Sequence, residues 1–373
     1  MSVALFPDDS SDVRPHRRAG KGRIGGLLLS LALVGAVAFS LVPSPYVIEQ
    51  PGPVFNTLGT VTVNNAKVPM ISIPSQRTYP TSGSLDMLTV NFVGNREQSP
   101  NWFDVISAWF NPSQAVVPLD SIYPPGESVK EADEVAAIQM SNSQKDAIAA
   151  ALEHLGTDVP STVTVAALSP KSPSSGILKP DDTIISVGGA RVDDVSQLRS
   201  AIADAGVGTA LTIDIERDGK AQTVTVVPEL SAGEDPAPII GIYAAVEYRF
   251  PFEVSIQLEN VGGPSAGQMF ALGIIDKLTP GALTGGKSIA GTGTIDSTGQ
   301  IGKIGGIRQK MYGASDAGAR WFLAPSGNCD EVAGHIPDGL TVFAVSTLDE
   351  SVAAVTAIGT GANTDALPRC EKP

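Results

Sequence analysis

A serine and a lysine far apart in the chain could together carry acyl-transfer chemistry. Ser265 follows Gly262-Gly263-Pro264 at the end of an apolar strand and opens an uncharged helical segment that runs to Ile275. A proline suits the first helical turn, and the N–H groups at that helix end lack intrahelical partners and sit at the positive pole of the dipole. The backbone amides of Ser265 and Ala266 are therefore candidates to hold an acyl oxyanion. A serine hydroxyl remains a poor nucleophile at neutral pH until a base takes its proton. The chain has three histidines, none of them between 259 and 311. If a helix starts after Gly305-Gly306, then Ile307, Lys310, Met311 and Ala314 recur at i, i+3, i+4 and i+7 on one apolar stripe, with Arg308 and Gln309 pointing away. Two readings of Lys310 stand at this point. It snorkels from the helix edge, or it is buried, and burial lowers its pKa from about 10.4 far enough for it to act as a base.

The runs GGPSAG (262–267), AGTGTID (290–296) and GQIGKIGGIRQK (299–310) resemble, in that order, the proteolytic domain of the Lon family. The resemblance extends from about 240 to 355. It implies a Ser-Lys dyad with Ser265 as nucleophile and Lys310 as base, and it gives Thr292 the task of orienting the amine. It also implies peptide-bond hydrolysis and a homo-oligomeric ring, commonly of six subunits; no cofactor is expected, and no metal either, since the cysteines and histidines lack the tight spacing of a ligand set. One position departs: many Lon enzymes have an aspartate where this chain has Gly262. That places the sequence nearer the small PDZ-containing Lon-like proteases of bacteria. The chain leaves no room for an ATPase module, so unassisted cleavage of flexible chains is expected.

Two other motifs overlap this stretch. Gly263 to Gly267 satisfies G-x-S-x-G, the nucleophile elbow of α/β-hydrolases, for which His335 would be the downstream histidine and Asp316 or Asp330 the acid. No HGGG-type segment precedes the serine, and the strand–helix alternation of that fold is missing. GALTGGKS (281–288) fits a phosphate-binding loop letter for letter. It follows a helix and leads into a strand, the reverse of what cradling phosphate requires, and so reads as a glycine-rich connection.

The elements that must position these residues come from most of the chain. Pro43 to Lys130 alternates short apolar runs with Pro, Gly and Asn, a β-rich pattern. Its run SLDMLTVNF resembles an early Lon-type strand, and the expectation is that this segment completes the protease sheet, with the middle domain inserted. Trp102, Phe103, Trp109 and Phe110 form either a core staple or a surface resting on lipid, and core is the expectation. Ser143–Leu155 reads as an alanine-rich helix ending at Gly156. Residues 162–229, with SPKSPSSGILKPDDTIISVGGARV, the helix DVSQLRSAIADAG and two alternating strands, resemble a bacterial PDZ domain. The PDZ resemblance implies binding of peptide C-termini by strand addition; His154-Leu155-Gly156 reads better as a helix cap than as a carboxylate loop.

Composition excludes some classes. The net charge is −14, which argues against a nucleic-acid partner. Residues 24–42 carry no charge over a length close to the roughly 20 residues that cross a bilayer core, and Arg14, Arg17, Arg18, Lys21 and Arg23 precede them. The reading is an uncleaved single-pass anchor in the cell membrane with a cytoplasmic N-terminus and the catalytic part outside; a cleaved signal peptide, with Ala36-Val37-Ala38 as its site, is the competitor. Cys329 and Cys370 lie beyond the anchor, where a bridge would persist, but pairing stays open.

The expected architecture is thus multidomain α+β. It comprises a cytoplasmic tail 1–23, a transmembrane helix 24–42, a β-rich segment 43–140, a linker helix and PDZ domain 141–232, a Lon-type proteolytic domain 236–360 and a tail 361–373. The leading function is a membrane-anchored serine endopeptidase acting on unfolded or secreted proteins. Its rival is a catalytically inactive PDZ scaffold.

Overall fold

The structure is a computed structural model that describes residues 42–370 apart from 125, 127, 233–235 and 260, together with Gly26, Ser30 and Phe39. Most of the expected span 24–42 therefore lies outside the described residues; Gly26, Ser30 and Phe39 are helical. Among the described residues no helix is long and apolar enough to cross a membrane.

A six-stranded sheet carries the candidate site. Its spatial order is Thr341–Val345, Trp321–Pro325, Ser288–Gly291, Ser84–Val93, Tyr46–Asn56 and Ala115–Pro118. Ser84–Val93 pairs in parallel with Ser288–Gly291 on one side and antiparallel with Tyr46–Asn56 on the other. Early and late parts of the chain thus share one sheet, because the SLDMLTVNF run has apolar residues for both faces: Leu85, Met87 and Leu88 are all buried. Against the sheet lies the helix Gly267–Leu278, buried from Gly267 through Asp276, which packs on Leu348–Thr360 and on the long helix Val129–His154.

That long helix starts 14 residues before the expected Ser143. A capping box sets its beginning: the Ser128 hydroxyl accepts from the Glu131 N–H, and the Glu131 carboxylate accepts from the Ser128 N–H. The first turns carry charged residues rather than a clear apolar stripe, so periodicity did not reveal them. At its other end Leu155 caps the helix and Gly156 takes φ +80°, as the sequence suggested.

The second sheet runs Lys220–Val226, Leu211–Arg217, Thr183–Val187, Ser161–Leu168 and Ile242–Tyr248, with Ala190–Arg191 beside Thr183–Val187. Helix Val195–Ala205, capped by Asp194 and closed at Gly206, buries Leu198 and Ile202 against Val163, Ile213 and Ile215. This sheet extends past the boundary expected at 236, to Tyr248, since Ile242–Tyr248 pairs along the whole of Ser161–Leu168. The outer edge of Ile242–Tyr248 is closed by the long helix: Asn142 Nδ2 donates to the Ala244 carbonyl at 2.8 Å and Lys145 Nζ to that of Val246 at 3.0 Å.

The second sheet and its helix are tied to their surroundings by Tyr248, which donates to Asp146 on the long helix at 2.6 Å, and by Ser297, just after the strand Thr294–Ile295, which donates to Asp194 at 2.8 Å. Burial is the main reason that Asp146 is pushed up to about 7.

Three local readings meet the structure directly. The core expectation holds for one member of the aromatic cluster only: Trp102 is half-buried, but Phe103 and Trp109 are exposed, and Phe110 retains 84% of its surface. Val105 and Ala108 are buried and Trp102 packs beside them, whereas Phe103, Trp109 and Phe110 point to the outer side, where Phe39 meets Phe103. The GALTGGKS loop does join a helix to a strand, and its Gly285, at φ +56°, lies so close to the Gly359 backbone that a Cβ there would clash with the Gly359 oxygen. Cys329 and Cys370 are bridged, tying residue 370 to the helix Cys329–Val332.

Candidate active site

Three elements converge on one point. Helix Gly267–Leu278 starts just after Ser265, and no side chain caps it. Strand Ser288–Gly291 leads into Thr292, whose N–H donates to the Leu323 carbonyl at 3.1 Å and whose side chain is fully buried. Helix Ile307–Asp316 starts after Gly306, which takes the left-handed conformation at φ +67° that glycine adopts without a steric penalty. The helix stripe is as expected: Ile307, Lys310, Met311 and Ala314 are buried. Gln309, expected to point away, is buried as well, with 2% of its surface exposed, because the helix is enclosed on more than one side.

Lys310 Nζ lies 2.6 Å from Ser265 Oγ and 3.0 Å from Thr292 Oγ1. Thr292 Oγ1 spends its own proton on the Ser265 carbonyl, at 2.8 Å, and so offers the amine a lone pair. The Gly293 N–H donates to the same carbonyl at 2.9 Å. The serine backbone and the lysine head are thus referenced to one short segment. Lys310 is 2% exposed, and burial lowers its pKa to about 7. Between a snorkelling lysine and a buried amine, the structure selects the buried amine.

Ser265 is half-buried at the wall of a cavity of about 480 Å³ that also reaches Lys310, Gly306, Leu88, Phe92 and Met140. Ser84–Val93 loses its partner Ser288–Gly291 after Met87, while its pairing with Tyr46–Asn56 continues to Val93. Residues Leu88 to Phe92 therefore line the cavity, and among the described residues that edge of the strand pairs with no other strand.

Gly262 accounts for the departure noted in the sequence. A Cβ there would lie 2.7 Å from that of Ala136 on the long helix, and the Gly263 N–H donates to the Ala136 carbonyl at 2.9 Å. The helix occupies the space that an aspartate side chain would need. The same helix supplies a residue that the sequence did not reveal, Ser143, whose hydroxyl donates to the Pro264 carbonyl at 2.8 Å. Its partner lies 121 positions away, and no local pattern marks it. His335, the base that the hydrolase motif would need, instead contacts the Glu331 carbonyl and is absent from the cavity wall. Among the described residues no cluster of His, Cys, Asp and Glu could hold a metal ion.

Residues 260–357 match the Lon protease (S16) C-terminal proteolytic domain, and residues 136–227 match the PDZ domain. Among curated proteins, a mitochondrial Lon protease homolog of Yarrowia lipolytica is 41% identical over 86 residues, covering 22% of this chain and 7% of that protein. Lon protease 2 of Herpetosiphon aurantiacus is 30% identical over 162 residues, covering 42% and 19%. Lon protease 1 of Bacillus subtilis is 34% identical over 91 residues, covering 24% and 12%. The chain thus spans under one fifth of the length of these relatives. A solved PDZ domain of an SdrC-like protein from Listeria monocytogenes covers 22% of this chain and 85% of its own at 22% identity, with a TM-score of 0.20, too low to bear on the fold. The chain is a mixed α/β multidomain protein with a PDZ domain and a Lon-type proteolytic domain, and that homology supports a serine protease.

Proposed function

We propose that the chain is a membrane-tethered serine endopeptidase that hydrolyses flexible protein chains through a Ser265–Lys310 dyad. The observation that carries this is the 2.6 Å approach of a buried lysine amine, lowered to about 7, to the hydroxyl of Ser265. A neutral Lys310 takes the hydroxyl proton as Ser265 Oγ bonds to the scissile carbonyl carbon. The oxyanion forms against the N–H groups of Ser265 and Ala266. Lys310 then returns the proton to the leaving nitrogen as the C–N bond breaks, leaving an acyl-enzyme. Water attacks the ester with Lys310 again as base, and Ser265 is regenerated. Thr292 keeps the amine on this line.

That edge from Leu88 to Phe92 suits a substrate in extended form, whose backbone would add to it. Folded proteins cannot present such a strand, so unfolded or secreted chains are the proposed substrates. The anchor reading puts the catalytic part on the outer face of the cell membrane. The PDZ domain is proposed to take a peptide, which at the Ile242–Tyr248 edge would have to replace the bonds from Asn142 and Lys145. A ring of identical subunits completes the proposal, with light scattering of the detergent-solubilised chain as its check.

The test is degradation of an unfolded protein such as casein by the full chain, with no nucleotide added. Ser265→Ala, Lys310→Ala and the double variant should each lose the same large factor, on the order of a thousandfold or more, because members of a dyad act as a unit. An active Lys310→Ala would move the base elsewhere. A wild-type chain that binds peptides and cleaves none would instead favour the scaffold.

A further inference from the structure

The helix Trp102–Trp109 is apolar on both sides. Val105 and Ala108 pack inward beneath Ile48, whereas Phe103, Ile106, Trp109 and Phe110 stand on the outward arc with 50%, 37%, 57% and 84% of their surface exposed. Phe103, Ile106 and Phe110 follow the i, i+3, i+7 spacing of one stripe, with Trp109 beside it. Val93, paired with the Ile48 that lies beneath this helix, is exposed as well. Large apolar side chains gathered in this way mark a surface that is covered in use.

The chain itself indicates what covers it. Phe39, near the end of the uncharged run 24–42, stacks on Trp102 at 5.6 Å between ring centroids and meets Phe103 edge-on at 5.8 Å. Five residues further on, the Ser44 N–H donates to the Pro100 carbonyl at 3.4 Å, just before the helix begins. The bilayer-facing end of the anchor and the exposed aromatic face are therefore adjacent. Tryptophan and phenylalanine settle at the boundary between headgroups and acyl chains, where their rings leave water.

We propose that the helix Trp102–Trp109 lies flat in the outer membrane interface, its Phe103–Ile106–Trp109–Phe110 face buried in lipid. This inference rests on the reading of residues 24–42 as an uncleaved anchor. No Lys or Arg occurs from residue 97 to 129, so the attraction is apolar and does not depend on anionic lipid. Held at this second point, the sheet beneath the helix keeps a fixed tilt to the membrane, which sets the direction from which a chain reaches Ser265.

The experiment reconstitutes the full-length chain into phosphatidylcholine vesicles with or without acyl-chain bromines, which quench tryptophan on contact. Trp109→Phe is the matched variant; the side chain is exposed, and the substitution keeps its apolar ring. The wild type should stay with the vesicles through a carbonate wash and be strongly quenched by brominated lipid at low and high salt alike. Trp109→Phe should lose most of the quenched signal. Retention without quenching of Trp109, while aqueous iodide still reaches it, would overturn the inference and leave the anchor standing. Retention with Trp109 shielded from both quenchers would overturn it in favour of a second copy on that face. Release by carbonate would overturn the anchor reading and this inference with it.

Discussion

Replacing Lys310 by methionine should make the protein more stable and inactive, with a stability gain that depends on pH in a defined way. The side chain is 2% exposed and its pKa is lowered to about 7, whereas in the unfolded chain it returns to about 10.4. Between those values the unfolded chain binds more protons than the native one, so wild-type stability rises with pH across that window. With these two pKa values, the cost of keeping the amine buried is about 5 kcal/mol at pH 6, about 4 at pH 7 and about 2 at pH 9. Methionine carries no such cost and fills a similar volume, but it forfeits the contacts with Ser265 and Thr292, roughly 1 kcal/mol each. The net gain should be about 2–3 kcal/mol near pH 6–7 and close to zero at pH 9. Urea unfolding of wild type and Lys310→Met at four pH values measures this difference. A gap that stays constant with pH would refute the depressed amine, whatever its effect on activity.

Other outcomes follow from the same contacts. Thr292→Val should lower kcat about tenfold to a hundredfold by freeing the amine and the Ser265 carbonyl, and Thr292→Ser should restore most of it; peptidase kinetics on both separate positioning from packing. Gly262→Asp should cost about 1–3 kcal/mol and slow cleavage, because the new side chain meets Ala136, and Ala136→Gly in the same chain should relieve part of both effects. Cys370→Ser removes a bridge that closes 41 positions of chain, worth about 4 kcal/mol, and should lower Tm by several degrees while leaving activity at 25 °C in place, since the bridge does not touch the cavity.

The site was more legible than the scaffold around it. Ser265, Thr292 and Lys310 stand in short runs of fixed spacing, and the position of Lys310 on an apolar stripe could be counted from Gly306. The strand Ser84–Val93 was visible through the resemblance of SLDMLTVNF to an early Lon-type strand, and its first half is buried, with Leu85 and Met87 on one face and Leu88 on the other. What escaped depended on contacts between distant segments. The first turns of helix Val129–His154 present a charged, weakly periodic surface, and their purpose shows only once Ala136 and Ser143 are seen holding the Gly262–Ser265 turn. Gln309 was misplaced because one helical stripe says nothing of a second neighbour on the other side. Clustering of Trp102, Phe103, Trp109 and Phe110 left a core staple and an outward surface both open, and of the four only Trp102 packs on the core, because clustering does not tell a buried ring from one awaiting a partner. Ile242–Tyr248 was counted with the protease domain although its pairing belongs to Ser161–Leu168, a register that no local pattern encodes.

The central claim is that a neutral Lys310 activates Ser265, and covalent labelling of the serine tests it most directly. The full chain is treated with a fluorophosphonate between pH 5 and 9 and digested, and the peptide containing residue 265 is weighed by mass spectrometry. Ser265 should be labelled at a rate that rises with pH to a plateau, with its midpoint close to pH 7, and labelling should be lost in Lys310→Met. Labelling of a different serine, or of Ser265 at an undiminished rate in Lys310→Met, would contradict the account.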